Sequence, residues 1–268
     1  CNKQPKKADG YLSELSGPVF TDLKLDGVQT AKNIRYWGHY PVADMEFETD
    51  SPVSVGLRAW SPFLPGDVID SMIPGIVLEL HLRNTKSMPQ KGSVAFSFPG
   101  PDPREAGGDQ FRRTKISGGV TGVEVNGKLL SYAVGVIGKE KSRTGGELGA
   151  DGAAWATIAD ALPAAAVAKP GSSVAVDFSL APGKEKVVRF VVTWCAPTWR
   201  GGGYNWHTGA IPFSDKPGHT FIHMYAKHYP SAAKTAEMLA KNHKSLLKRV
   251  LAWQEVIYTD EALPIWLR

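Results

Sequence analysis

The chain is poor in cysteine, with Cys1 and Cys195 its only two in 268 residues, and that excludes a disulfide framework. Cys195 lies in an apolar stretch, where a free thiol behaves as a small hydrophobe. No apolar run approaches the roughly 20 residues that a membrane-spanning helix needs. Neither charge dominates: 31 Lys and Arg stand against 26 Asp and Glu, for a formal net charge of +5. The one denser basic cluster, Lys241, Lys244, Lys248 and Arg249, has the spacing of a solvated helix face, so no nucleic-acid partner is expected. There is no βαβ alternation, no internal repeat, no nucleophile elbow and no glycine-rich turn followed by a helix.

Metal chemistry is the next exclusion. His219, His223 and His228 lie close in GHTFIHMYAKHY, but the aromatic and β-branched residues there predict a strand, on which His219 and His223 would be about 13 Å apart. No metal and no cofactor are expected. Paired carboxylates for glycoside hydrolysis need an acid and its partner about 5 to 9.5 Å apart. Asp67 with Asp70, or Asp102 with Glu105 and Asp109, are the candidates, and nothing in their spacing singles out a pair.

What is present is a mainly β pattern. Hydrophobic residues make up 43% of the chain, enough to bury a sizeable core. From Tyr40 to Cys195 the period is two: Ile76, Leu78, Leu80 and Leu82 alternate with Val77, Glu79, His81 and Arg83, giving one buried and one mixed face. Strands are predicted at 42–48, 53–60 and 93–99. VAVDFSLAPGKEKVVRFVVTWC reads as a hairpin turning at Pro182–Gly183, and VEVNGKLLSYAVGV as a second with a type I′ turn at Asn126–Gly127. The glycine-rich segments 101–119 and 138–154 read as long loops, and 163–171 as a small-residue stretch. The spacing predicts a two-sheet antiparallel β-sandwich over residues 31–229, with Leu78, Leu80, Phe178, Phe190 and Val192 buried. After Pro230 the period changes to that of a helix. Ala232, Ala236, Leu239, His243, Leu246, Val250, Trp253 and Ile257 share one face, and Ser231 suits the N-cap. One long amphipathic helix over 230–258 is predicted.

The stretch TWCAPTWRGGGYNWHTG, residues 193–209, leaves an apolar strand for a triple glycine among Trp199, Arg200, Tyr204, Trp206 and His207. Glycine allows close backbone approach, and the aromatics offer flat faces with polar edges. These five residues are the candidates for a substrate rim or a domain interface; capping of the sandwich core is the alternative. The first residues, CNKQPKKADG, have the form of a mature bacterial lipoprotein, a cysteine followed by a polar tether. This would make Cys1 a lipid attachment site, residues 1–30 a tether and leader, and the location extracytoplasmic. A fragment boundary that falls on Cys fits equally well, and then a cytoplasmic location stays open.

Three segments together resemble the N-terminal domain of glycoside hydrolase family 116, the group that contains bile-acid β-glucosidase, also called non-lysosomal glucosylceramidase. They are LRAWSPFLPGDVIDSMIPGIVLELHLRNT (57–85), SLAPGKEKVVRFVVTWCAP (179–197) and AWQEVIYTDEALPIWLR (252–268). The resemblance implies a β-sandwich joined through a long helix to a C-terminal α/α toroid that carries the catalytic carboxylates of a retaining β-glycosidase. It also implies that residues 259–268 begin that toroid and that no catalytic residue lies in this chain. Its partners would then be the toroid and a carbohydrate or glycoside substrate, with a membrane tether if Cys1 is lipidated. A freestanding carbohydrate-binding or structural surface lipoprotein is the alternative function.

Overall fold

The computed structural model describes residues 27–201 and 219–265. Its larger sheet contains β1 (Asn33–His39), β2 (Val42–Glu48), β3 (Val53–Trp60), β4 (Gly75–Asn84), β6 (Arg112–Ile116), β7 (Val120–Asn126), β8 (Ser131–Ile137) and β11 (Glu185–Cys195). The order across it is β1-β2-β3-β4-β11-β8-β7-β6, with antiparallel neighbours throughout. A smaller sheet, β5-β10-β9, combines β5 (Gln90–Phe98), β10 (Ser172–Leu180) and β9 (Ser142–Gly146). Short helices α1 (Val68–Ser71), α2 (Pro103–Ala106) and α3 (Gly152–Ala156) lie in the connections.

Alternation along the strands builds two cores on opposite sides of the large sheet. Between the sheets, Leu78, Phe190 and Val192 pack with Val134, Val136, Val174 and Val176, and the Phe96 and Phe190 rings meet at 5.9 Å. Leu80 and Phe178, expected to be buried, are half-buried; for Leu80, on the larger sheet, this follows from three strands covering only part of eight. On the other side lies α5 (Ala232–Tyr258), with the predicted Ser231 N-cap accepting from the Lys234 amide at 3.2 Å. Ala232, Ala236, Leu239, Leu246 and Val250 press onto Val77, Val120, Ala133 and Val191 of the sheet. Burial of a side chain such as Leu239 stabilises by about 1.5–3 kcal/mol. The helix is thus a third layer, with its apolar stripe sealed against the back of the sandwich.

Several local expectations change. The Pro182–Gly183 turn is real, with Gly183 at φ +68°, but it does not close a hairpin. β10 pairs with β5 and β9, whereas β11 pairs with β4 and β8. Both strands are apolar on their facing sides, so the chain arches over and stacks them across the core instead of zipping their edges. β7 and β8 do form the second predicted hairpin, but through the four residues 127–130, closed by Gly127 N–H to Leu130 O at 2.9 Å. That is not a type I′ turn, and Gly127 has no positive φ. Its glycine serves close approach instead, since a Cβ there would lie 3.1 Å from that of Ala106 in α2. β6 and α2 occupy the segment read as a loop at 101–119, and β9 and α3 that at 138–154; β1 precedes the predicted strands altogether.

Candidate functional site

Beyond Cys195, β12 (Thr198–Gly201) pairs antiparallel with β13 (His219–Ile222) as a two-stranded ribbon, and Gly201, the first of the three glycines, is the last residue of β12. Tyr225, in α4 (Met224–His228), clamps the ribbon's root. Its hydroxyl donates to Ala196 O at 2.8 Å and accepts from Ala196 N at 2.7 Å, and the Tyr225 ring stacks on His223. The predicted strand through the histidines is therefore half right: His219 is in β13, His223 is the N-cap of α4 and His228 ends that helix. Phe221, Ile222 and Met224 are exposed here, at 52%, 75% and 63%. Tyr204, Trp206 and His207 lie outside the described residues, as does Cys1, and of Trp199 and Arg200 the backbone alone is described.

The carboxylates of the WSPFLPGDVIDSM segment have a structural role. Arg249 of α5 donates to Asp70 at 2.5 Å and to Asp67 at 2.6 Å. Asp67 also caps α1 through the Asp70 amide at 3.0 Å. The Arg249 guanidinium holds the Asp67 carboxyl below its ordinary range, with the capping amide assisting. Tyr229 donates to Ile69 O at 3.0 Å, and burial, with Asp70 and Asp67 nearby, pushes its hydroxyl up to about 12. Together these bonds tie the α1 knob to the long helix. Asp102 likewise caps α2 and pairs with Arg104 at 2.9 Å. Asp67, Asp70 and Asp102 are thus helix caps and clamps.

The outer face of the large sheet carries a second candidate, which sequence reading missed. Cross-strand partners share a face, and the register aligns three rows. In the first, Val42, Trp60, Val77 and Val191 stand opposite one another beneath α5. In the second, Trp37, Asp44, Arg58, Glu79 and Arg189 run across β1, β2, β3, β4 and β11. In the third stand Arg35, Glu46, Gly56, His81 and Val187. The second row is tightly paired. Arg58 donates to both oxygens of Asp44 at 2.8 and 2.9 Å, His39 lies 3.1 Å from Asp44, and Arg189 reaches buried Glu79 at 2.6 Å. The Arg58 guanidinium holds the Asp44 carboxyl below its ordinary range; partial burial opposes this and His39 assists. Arg58 is raised in turn, chiefly by Asp44.

Over the third row the sheet surface is open. A groove of about 800 Å³ runs past Trp37, Asp44, Glu46, Gly56, Arg58 and His81, and a second of about 400 Å³ continues from Glu46, Gly56 and His81 toward Val187. A sequence signal existed in the alternation of Glu79, His81 and Arg83, but it is the signal of any solvated strand face. Among the described residues no three His, Cys, Asp or Glu side chains converge as a metal ion would require.

The chain matches the family model described as beta-glucosidase 2, glycosyl-hydrolase family 116 N-term, over residues 2–246. No curated protein matches it. Among solved structures it is similar to a putative kojibiose phosphorylase from human microbiome, with TM-score 0.41, 11% identity, and 81% of this chain and 23% of that one covered. It is also similar to the galactosidase domain of an alpha-galactosidase-sucrose kinase, with TM-score 0.25, 9% identity, and 65% and 29% covered. The chain spans less than a third of the length of either protein. With residues 2–246 of its 268 inside the family model, the chain belongs to the N-terminal domain family of glycosyl-hydrolase family 116.

Proposed function

We propose that this chain is the non-catalytic N-terminal domain of a retaining β-glycosidase of the β-glucosidase and glucosylceramidase kind. In this reading it seats on a separate C-terminal α/α toroid that holds the catalytic carboxylates, and its ribbon shapes the rim of the substrate pocket. The family match over residues 2–246 is the observation that carries the reading. Two features of the fold suit it. Ile222 and Met224 expose apolar surface at the root of the ribbon, which is the kind of surface an interdomain contact covers. The long helix, fixed to the sandwich by its buried stripe and by Arg249, is a stiff arm for carrying a second domain.

The test is reconstitution with an aryl β-glucoside as substrate. The chain alone is expected to be inactive and to bind a separately produced family 116 toroid. Replacing the ribbon 198–222 by a short turn should leave the sandwich folded while weakening that association or raising KM. Hydrolysis by the chain alone, abolished at Asp67, Asp70 or Asp102, would overturn the proposal.

A further inference from the structure

The open groove on the outer sheet face has a composition that selects its ligand. The two polar rows hold three carboxylates, Asp44, Glu46 and Glu79, and three guanidiniums, Arg35, Arg58 and Arg189; of these Asp44, Glu46 and Arg58 line the groove, while Glu79 is buried. Asp44 and Glu79 are ion-paired to Arg58 and Arg189, and Glu46 stands 4.0 Å from Arg35. The opposite charges cancel, so the face attracts neither phosphates nor cations over a distance. What remains is a set of donors and acceptors held in place by their own pairing, which lowers the ordering cost of binding.

The steric outline is equally specific. Gly56 forms the floor between Glu46 and His81, and a Cβ there would meet nothing closer than 3.6 Å, so the absent side chain leaves usable space. Trp37, 48% exposed, opens the second row beside Asp44 and offers a flat apolar face on the edge strand. A protein partner would have to cover three ion pairs at the centre of its contact, where charged residues are normally depleted. A neutral polyhydroxylated ring suits the surface better. Its C–H face can lie on the indole, and its hydroxyls can both donate to Glu46 and accept from Arg58 and His81.

We propose that the groove bounded by Trp37, Glu46, Gly56, Arg58 and His81 binds a neutral oligosaccharide. The proposal holds whether or not the domain seats on a toroid. Calorimetric and ligand-observed NMR titrations of the 268-residue chain with cello-, laminari-, malto- and xylotetraose test it. At least one should bind saturably, while tetragalacturonate and inorganic phosphate should not. Trp37→Ala should weaken binding about tenfold or more, equivalent to about 1.4 kcal/mol. Tyr36→Ala, one residue away but on the opposite face of the strand, should change it less than about twofold. Failure of all four sugars to bind, or equal losses in both variants, would overturn the assignment. So would a Trp37→Ala variant that keeps its sugar affinity but no longer associates with a family 116 toroid, since that result would make the face a protein interface.

Discussion

The same strands, on the same side of the large sheet, support two surfaces one row apart. Under α5, Val42, Trp60, Val77 and Val191 are almost entirely buried. Two residues away along each strand stands the row Asp44, Arg58, Glu79 and Arg189, whose members Asp44 and Arg58 line a groove that the helix leaves open. The backbone is one continuous antiparallel ladder, so the contrast comes from side chains and from the path of one helix. It teaches that a strand face described as mixed can be segregated: the apolar positions line up as a row under a lid, and the charged ones line up as a row beside it. Paired charges suit that border, because an unpaired one next to a dry core would cost several kcal/mol in desolvation.

The sharpest way to break the comparison is at its two tryptophans. Trp60 is 1% exposed and Trp37 is 48% exposed, on the same sheet face. Trp60→Ala should cost about 3–5 kcal/mol, a fall in Tm on the order of 6–20 °C. Trp37→Ala should cost less than about 1 kcal/mol. Scanning calorimetry of both variants reads the difference directly, and similar losses would mean that the groove is part of a core.

Glycines make the next test. Gly135 pairs with Val191 on one side and Gly122 on the other. A Cβ on Gly122 would fall 2.2 Å from Val134 O and 2.5 Å from the Gly135 Cα. Both obstacles are backbone, so the ladder itself would have to move. Gly122→Ala should therefore destabilise by about 1–3 kcal/mol, measured by urea denaturation with an unchanged m-value.

How much of this was legible in the sequence follows from the same contrast. Period two along β4 and period 3.6 along α5 are local signals, and both identified their elements and buried faces. Strand partnership is not local. The segments 174–180 and 188–194 are adjacent and joined by a true turn, yet they enter different sheets, because pairing was decided by how two apolar faces could meet. β1 escaped notice since Ile34, Tyr36 and Trp37 are all exposed, which leaves no alternation to read. The polar row was invisible for a related reason: it needs the register of five strands, drawn from residues 37 to 189. The acids of the DVID segment showed their residue types but not their partner Arg249, which is 179 positions from Asp70.

Protonation sharpens the border between the two regions by a smaller amount. Asp44 has its carboxyl lowered by Arg58, so its contribution to stability is fully present above the ordinary aspartate range and is lost as pH falls through the lowered value. Asp44→Asn should cost about 1 kcal/mol at neutral pH, since the pair is partly exposed. In acid the variant and the parent should converge. Unfolding measured at intervals between neutral pH and strong acid checks the sign; a gap that widened on acidification would show that the ion pair is not what holds Asp44.

The smallest expected effect is at the groove floor. Gly56 sits in the middle of β3, where glycine carries an entropic penalty of roughly 0.5–1 kcal/mol relative to alanine. It is absent from the residues with positive φ, and an added Cβ would make ordinary contacts at 3.6 Å with Met45 O and 3.9 Å with the His81 Cβ. Gly56→Ala should thus be neutral or stabilising by a few tenths of a kcal/mol, the reverse of Gly122→Ala on the same sheet. The added methyl would stand in the floor between Glu46 and His81, so any oligosaccharide affinity should drop while Tm holds or rises. A loss of stability at Gly56 would mean that something already fills this part of the groove, and the contrast between the covered and open regions would fail at its centre.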